Sequence, residues 1–502
     1  MENGPANAEH DGPAIGSRAW WSRSRIGAFA VALSLFAAVE LVPSGLHEVA
    51  GFGSRPAHAA AVALLMAVLW LTEALPIHWT ACLPLALFPL LGVFGQGPAE
   101  DLWSSVQPYF DAYIFLFMGG MAIGAAMEQT GLHRRVALRV LRAVGTDPKR
   151  LLLGMLIATS SVSMWISNTA TAVMMVPIAV ALLRQMESAS GKRAGSFGSA
   201  LMLSVAYASN IGGMATKIGT GTNSIFCGFV SATMGREIGF LEYIAVATPF
   251  VILFIPITWL WLWQHGRTAD FGTAASDAAL QREIAELGPM SRDERGVAWV
   301  FGSAALFWML GDPLRGVITP YVPAPWEGFR FVAKHYEAAV SMAAALALIA
   351  TRKLSWASVR AMPWSALLLL GGSFAMAEGI SGGGLADWLA LKLAVLSTLS
   401  LFAQLAIAVS SSIALSAIAS NTATVNVMLN ILPRSLPVLF ATAMASSCDF
   451  ALPAGTPPNA IVFGSGYVRL PTMMRVGVLL DVTAAVLLTL YALWWIAPLM
   501  GP

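Results

Sequence analysis

The chain of 502 residues is 57% hydrophobic and only 11% charged, with a mean hydropathy of +0.70 and a net charge of +2. Soluble globular domains do not have this composition, which describes a polytopic all-α membrane protein and excludes a soluble enzyme. No nucleic-acid partner is expected.

Residues 1–26 carry Gly, Pro, Asn and charges and lack the short apolar core and cleavage site of a signal peptide, so they read as a retained, disordered cytoplasmic tail. Arg18, Arg23 and Arg25 precede the first apolar run and nothing basic follows Arg475. The positive-inside rule therefore predicts a cytoplasmic N-terminus and a C-terminus outside. Apolar runs from AVALLMAVLWL to the closing VTAAVLLTLYALWWIA predict about eleven membrane-crossing helices. The residue-by-residue alternation of a membrane β-barrel is not what these runs show.

Further along, IFLFMGGMAIGAAMEQTGL around Gly119-Gly120 is echoed by ALLLLGGSFAMAEGISGGGL around Gly371-Gly372, an offset of 252 residues. Ser167-Asn168-Thr169 returns as Ser420-Asn421-Thr422 after 253. Two related halves follow, 27–263 and 297–502, joined by a polar cytoplasmic linker at 264–296. Arg134, Arg135, Arg139, Arg142, Lys149 and Arg150 follow the first glycine pair, and only Lys392 follows the second. The copies thus face opposite ways, as inverted repeats.

A second polar cluster follows each Ser-Asn-Thr: AYASNIGGMATKIGTGTN at 206–223 and SSCDFALPAGTPPNAIVFG at 446–464. Gly, Pro, Thr and Asn at this density break helices, and bare backbone survives in a bilayer only inside protein or beside a wet cavity. Restarting helices offer N–H groups and the positive end of the helix dipole, and two such ends facing each other suit a dicarboxylate. Freed carbonyls with Asn and Ser oxygens suit a small hard cation, sodium first. One Ser-Asn-Thr alone reads as a helix-packing contact; two copies, each followed by a Gly-Thr segment, read as one two-sided site. Cys82, Cys227 and Cys448 lack metal-ligand spacing and are expected to pack.

At these residues the chain resembles the divalent anion/sodium symporter family of dicarboxylate, citrate and sulfate transporters. WLTEALPIHWTACLPLALFPLLGV, IFLFMGG, GLHRR and LPAGTPPNAIVFGSGY extend the likeness over residues 60–500. The resemblance implies a homodimer in the bilayer whose protomers carry a scaffold and an elevator-like transport domain with two re-entrant helical hairpins. It implies a first sodium site at Ser163, Ser167, Asn168 and the backbone of Gly219. A second would use Ser416, Ala419, Asn421 and the backbone of Gly455. Substrate carboxylates would meet Asn168, Thr169, Thr220, Asn421, Thr422 and Thr456.

The chain departs from the family pattern at three places. Gly221-Thr222 stands where Pro-Pro is usual, Lys217 where an apolar residue is usual, and Asp449 where a small or apolar one is. Isolated charges at membrane depth are costly, so Lys217 and Asp449 are expected to pair across the site. Lys217 would replace one sodium, contact substrate, or face solvent at a hairpin edge. The expected function is sodium-coupled elevator transport of C4-dicarboxylates, not an enzyme, in a bacterial inner membrane. Sodium-independent dicarboxylate exchange, or sulfate or tricarboxylate symport, are the alternatives.

Overall fold

The computed structural model describes residues 22–501 apart from 192, 268–272, 324–329, 393–397 and 454. Helices account for all regular structure among the described residues except an isolated bridge between Val49 and Gly53. Helix α1 (Arg23–Leu41) starts at Ser22, whose Oγ caps the Arg25 N–H. The last four residues of the expected 1–26 tail are therefore its first turn, and residues 1–21 lie outside the described ones.

The first half continues with α2 (Arg55–Thr72), α3 (Leu83–Leu91), α4 (Pro98–Val106) and α5 (Ala112–Thr130). Asp111 Oδ1 accepts from the Tyr113 N–H to start α5, and Gly131, left-handed at φ 77°, ends it. The amphipathic α6 (Leu132–Val144) follows, burying Leu132, Ala137, Leu138 and Leu141. Then come α7 (Pro148–Ser163), α8 (Asn168–Ser190), α9 (Gly195–Gly213), α10 (Gly221–Met234) and the long α11 (Phe240–Gly266).

The polar connection holds a helix of its own, α12 (Thr273–Leu287). Arg134 on α6 binds Glu283 on α12 at 2.5 Å. Arg135 binds Glu294 at 2.7 Å and donates to the carbonyls of Leu287 and Gly288. Ser291 and Glu294 form a capping box that opens α13 (Arg292–Met309), so the second half begins before residue 297.

Beyond it lie α14 (Gly311–Ile318), α15 (Ala333–Ala350), α16 (Trp364–Gly382) and α17 (Leu385–Lys392). The closing series is α18 (Leu401–Ser416), α19 (Asn421–Ile431), α20 (Leu436–Ala445), α21 (Pro457–Gly464) and α22 (Leu470–Tyr491).

Among the described residues seven helices are long and apolar enough to cross a bilayer, or eight if the pair Arg292–Met309 and Gly311–Tyr321, bent by 76°, is one span. The expected eleven is not matched. The breaks that create polar backbone split spans into pieces such as α20 and α21, each too short to cross alone.

The glycine pairs of the repeat are close-packing positions. A Cβ on Gly119 would stand 2.5 Å from Ser341 Cβ on α15, and one on Gly372 would collide with Ala81. One core joins α5 through α11 to α18, α20 and α22. A separate cluster gathers Val62, Met66 and Trp70 of α2, Phe88 of α3 and Met376 and Ile380 of α16.

Candidate functional site

Each half of the chain contributes a helical hairpin and a broken helix. In the first, α7 and α8 meet at the turn Met164–Ser167, and α9 breaks over 214–220 before restarting as α10. In the second, α18 and α19 meet at Ala417–Ser420, and α20 ends at Ala445 before α21 begins at Pro457. Ser-Asn-Thr therefore sits at the hairpin tips. The Gly-Thr clusters are breaks within helices, so Lys217 lies in a helix break and not at a hairpin tip.

The two tips are built alike. Ser167 Oγ caps α8 through the Ala170 N–H, and Ser420 Oγ caps α19 through the Ala423 N–H, both at 3.3 Å. Ser163 Oγ lies 2.9 Å from Asn168 Oδ1 and 2.7 Å from the Ser209 carbonyl. Its counterpart Ser416 Oγ lies 3.0 Å from Asn421 Oδ1 and 2.6 Å from the Ser446 carbonyl. In each half three oxygens share one hydroxyl proton, an electron-rich cluster that suits a hard cation.

The breaks are also held alike. Asn223 Nδ2 donates to the carbonyls of Gly213 at 2.8 Å and Thr216 at 2.6 Å. Asn459 Nδ2 donates to those of Asp449 at 2.8 Å and Leu452 at 3.0 Å. Donors and acceptors alike are 236 positions apart, so Asp449 occupies in the second half the place of Gly213 in the first. Thr220 and Thr456 stand at the N-caps of α10 and α21 in extended conformation without a side-chain capping bond. Pro457 and Pro458 carry no N–H, whereas Gly221 and Thr222 each bring one, so the first break is the richer in donors.

A buried chain of side chains joins the halves. Asn168 Nδ2 donates to Asn210 Oδ1 at 3.3 Å, and Thr456 Oγ1 donates to the same oxygen at 3.4 Å. Asn210 Nδ2 donates to Asp449 Oδ1 at 3.2 Å, and Asn421 Nδ2 reaches that oxygen at 3.4 Å. Gly219, Ala419 and Gly455 are buried beside it, while Ser167 and Thr169 are exposed and Thr422 is half-buried.

The expected pairing of Lys217 with Asp449 does not form. Lys217 is fully buried and donates from Nζ to Glu337 Oε2 at 2.7 Å, which also rules out a solvent-facing lysine. Glu337 Oε1 accepts from the Phe240 N–H at 2.7 Å. Beside this pair, Lys334 binds Asp111 at 2.9 Å and Tyr113 donates from its hydroxyl to Glu237 at 2.9 Å. Glu337 escaped the sequence reading, although a carboxylate in the apolar run HYEAAV was its signal. Asn210 lay inside a recognised cluster without being singled out. The three cysteines are unpaired thiols, Cys227 and Cys448 buried and Cys82 half-buried.

Residues 24–501 match the family described as sodium:sulfate symporter transmembrane region. The chain is 32% identical over 464 residues to the sodium-dependent dicarboxylate transporter SdcS of Staphylococcus saprophyticus, covering 88% of this chain and 86% of that one. It is 32% identical over 461 residues to SdcS of Staphylococcus aureus strain MRSA252, with the same coverage. The crystal structure of the Alcanivorax borkumensis YdaH transporter shares the fold, with a TM-score of 0.56 at 16% identity over 85% of this chain and 99% of that one. With the family match running almost from end to end and these relatives covering most of its length, the chain belongs to the sodium:sulfate symporter transmembrane family.

Proposed function

We propose that the protein is a secondary active transporter that couples sodium to the movement of a C4-dicarboxylate such as succinate, malate or fumarate. The observation that carries this reading is the chain Asn168–Asn210–Asp449–Asn421, which links both hairpin tips and the second break to the end of α9, just before the first break, in one polar centre. Two relatives named as sodium-dependent dicarboxylate transporters favour the same substrate and ion.

In this account the oxygen clusters at Ser163 and Ser416 bind sodium, with Ser167, Asn168 and the Gly219 backbone on one side. Ala419, Asn421 and the Gly455 backbone lie on the other. Asn168, Thr169, Thr220, Asn421, Thr422 and Thr456 present amide, hydroxyl and helix-end donors to the two carboxylates. Co-bound sodium offsets the dianion's charge before the site crosses the bilayer. At a membrane potential near −100 mV, each net positive charge moved inward contributes about 2.3 kcal/mol toward accumulation.

Transport proceeds by an elevator motion of the hairpins and broken helices against a scaffold that includes α2, α5, α15 and α16, in a homodimer. The halves are inverted, the N-terminus and the α12 connection are cytoplasmic, and the C-terminus is outside, in a bacterial inner membrane.

The test is uptake of labelled succinate into proteoliposomes under an inward sodium gradient or an equal choline gradient, with and without internal succinate. Uptake that needs sodium alone supports the reading. Uptake that ignores sodium and needs internal succinate would replace it with exchange, and stronger competition by sulfate or citrate than by malate would change the substrate class. Exchange drew its support from a Lys217–Asp449 pair, which is not formed.

A further inference from the structure

Asp449 is the one position in the paired breaks where the second half adds a formal charge. Its counterpart Gly213 cannot carry even a methyl group, because a Cβ there would collide with Asn168 Oδ1. In the second half Asn421 instead turns its Nδ2 toward the carboxylate, 3.4 Å from Oδ1. With Asn210 Nδ2 as the second donor, Oδ1 is satisfied.

Oδ2 is not. Asp449 is 1% exposed, and this oxygen has no hydrogen-bond partner among the described residues. The Lys217 ammonium is committed to Glu337, and the charge that faces Asp449 from α22 is a second carboxylate, Asp481, whose Oδ1 accepts from the Phe450 N–H at 2.9 Å. A buried carboxylate oxygen without donor or counter-charge is strongly unfavourable, so this arrangement calls for a positive partner, either a proton on the carboxyl or a bound cation.

The space beside Oδ2 has the lining such a cation needs. An ideal Cβ built on Gly455 would lie 2.7 Å from Asp449 Oδ2, 3.4 Å from the Ser416 carbonyl oxygen and 3.5 Å from that of Ala417. Three oxygens, one anionic, thus surround a point that only glycine leaves open. Ser416 and Asn421, which complete the electron-rich cluster of this half, are the adjoining side chains.

We propose that Asp449 is a direct ligand of the second sodium ion, placed by the Gly455 notch, so that one sodium site carries an anionic ligand and the other only neutral ones. This rests on the sodium-coupled reading above and deepens it. The second site would bind sodium more tightly than the first and would be charge-neutral once loaded, which makes the two sites unequal in a pseudo-symmetric frame.

The test is thermal unfolding of the purified full chain in detergent, without dicarboxylate, over a sodium chloride series balanced with choline chloride. A ligand that binds the folded state raises the melting temperature in proportion to its occupancy. Wild type is expected to respond at low sodium, and both Asp449→Asn and Gly455→Ala to need at least tenfold more sodium for half the effect. The first removes the charge and the second fills the notch; Gly464→Ala, which meets nothing within 4 Å, is the control expected to match wild type. If Asp449→Asn fails to fold, Asp449→Gly, which installs the residue of the corresponding position in the first half, takes its place, because Gly455→Ala by itself would disturb the site whether or not Asp449 is a ligand. Sodium midpoints unchanged in the folded variants would overturn the assignment and leave sodium coupling intact, whereas a wild type that sodium does not stabilise would overturn both.

Discussion

Lys217 Nζ and Glu337 Oε2 stand 2.7 Å apart with both side chains buried, and this contact ties the break between α9 and α10 to α15. The carboxylate also receives the Phe240 N–H at the start of α11, so three elements meet on one ion pair. Removing one partner leaves an uncompensated buried charge, which costs about 3–5 kcal/mol. Lys217→Met is therefore expected to lower the melting temperature sharply. The double variant Lys217→Met with Glu337→Gln, which keeps an acceptor for Phe240, should recover most of the loss. Sodium dependence that survives in the double variant separates this structural role from one in which Lys217 replaces a sodium.

Asn210 is the hinge of the polar chain, accepting from Asn168 and Thr456 and donating to Asp449. Asn210→Ala takes a partner from half-buried Asn168, from buried Thr456 and from Asp449, which keeps Asn421, at about 1–3 kcal/mol for a buried group left unsatisfied. Uptake should fall at least tenfold with the protein still monodisperse by size exclusion. Ser199→Ala, where the hydroxyl bonds the Ser196 carbonyl and the His265 ring, should transport nearly as wild type.

Asn223 and Asn459 make corresponding pairs of bonds across the two breaks. Alanine at either position orphans one backbone carbonyl, that of Gly213 or Asp449, and leaves the other, that of Thr216 or Leu452, with the Gly219 or Gly455 N–H at 3.4 Å, so both should cost a similar amount, about 1–3 kcal/mol for the carbonyl left buried. Thermal melts of the two variants within a few degrees of each other would bear out the equivalence. A wide gap would show that one break is held by other means.

Gly119 allows α5 to approach α15, since an added Cβ would sit 2.5 Å from Ser341 Cβ and 2.6 Å from its backbone. Gly119→Ala is expected to destabilise by about 1–3 kcal/mol through overpacking. Gly302→Ala, which meets nothing within 4 Å on the exposed side of α13, should be neutral or slightly stabilising, as helix propensity favours alanine. Fluorescence-detected thermal unfolding compares them.

Much of this arrangement is written in the chain because duplication and polarity are both conspicuous in apolar sequence. The two Ser-Asn-Thr tripeptides and the two Gly-Thr clusters marked the region where Asn168, Asn210, Asp449 and Asn421 join the two hairpin tips, the end of α9 and the second break. The number of spans was less legible, because an interrupted helix and two short ones have the same composition. The partner of Lys217 was not legible at all. Glu337 is 120 positions away and reaches the lysine only once α15 packs on α5, whereas Asp449 was the charge nearest in motif. The placing of Lys217 at a hairpin edge failed for a related reason. Asn223 and Asn459 hold these breaks by bonds to the carbonyls of Gly213 and Asp449, and a side-chain clasp on a carbonyl has no sequence period.

Sodium-driven succinate uptake by Asn168→Ala and Asn421→Ala, each in proteoliposomes beside wild type, tests most directly whether the two halves form one site. The account predicts that either substitution alone removes most of the uptake while both proteins remain folded, because each asparagine supplies a cation cluster and one end of the shared chain. Full sodium-driven uptake by either variant would contradict it, since a site built from one half would then suffice.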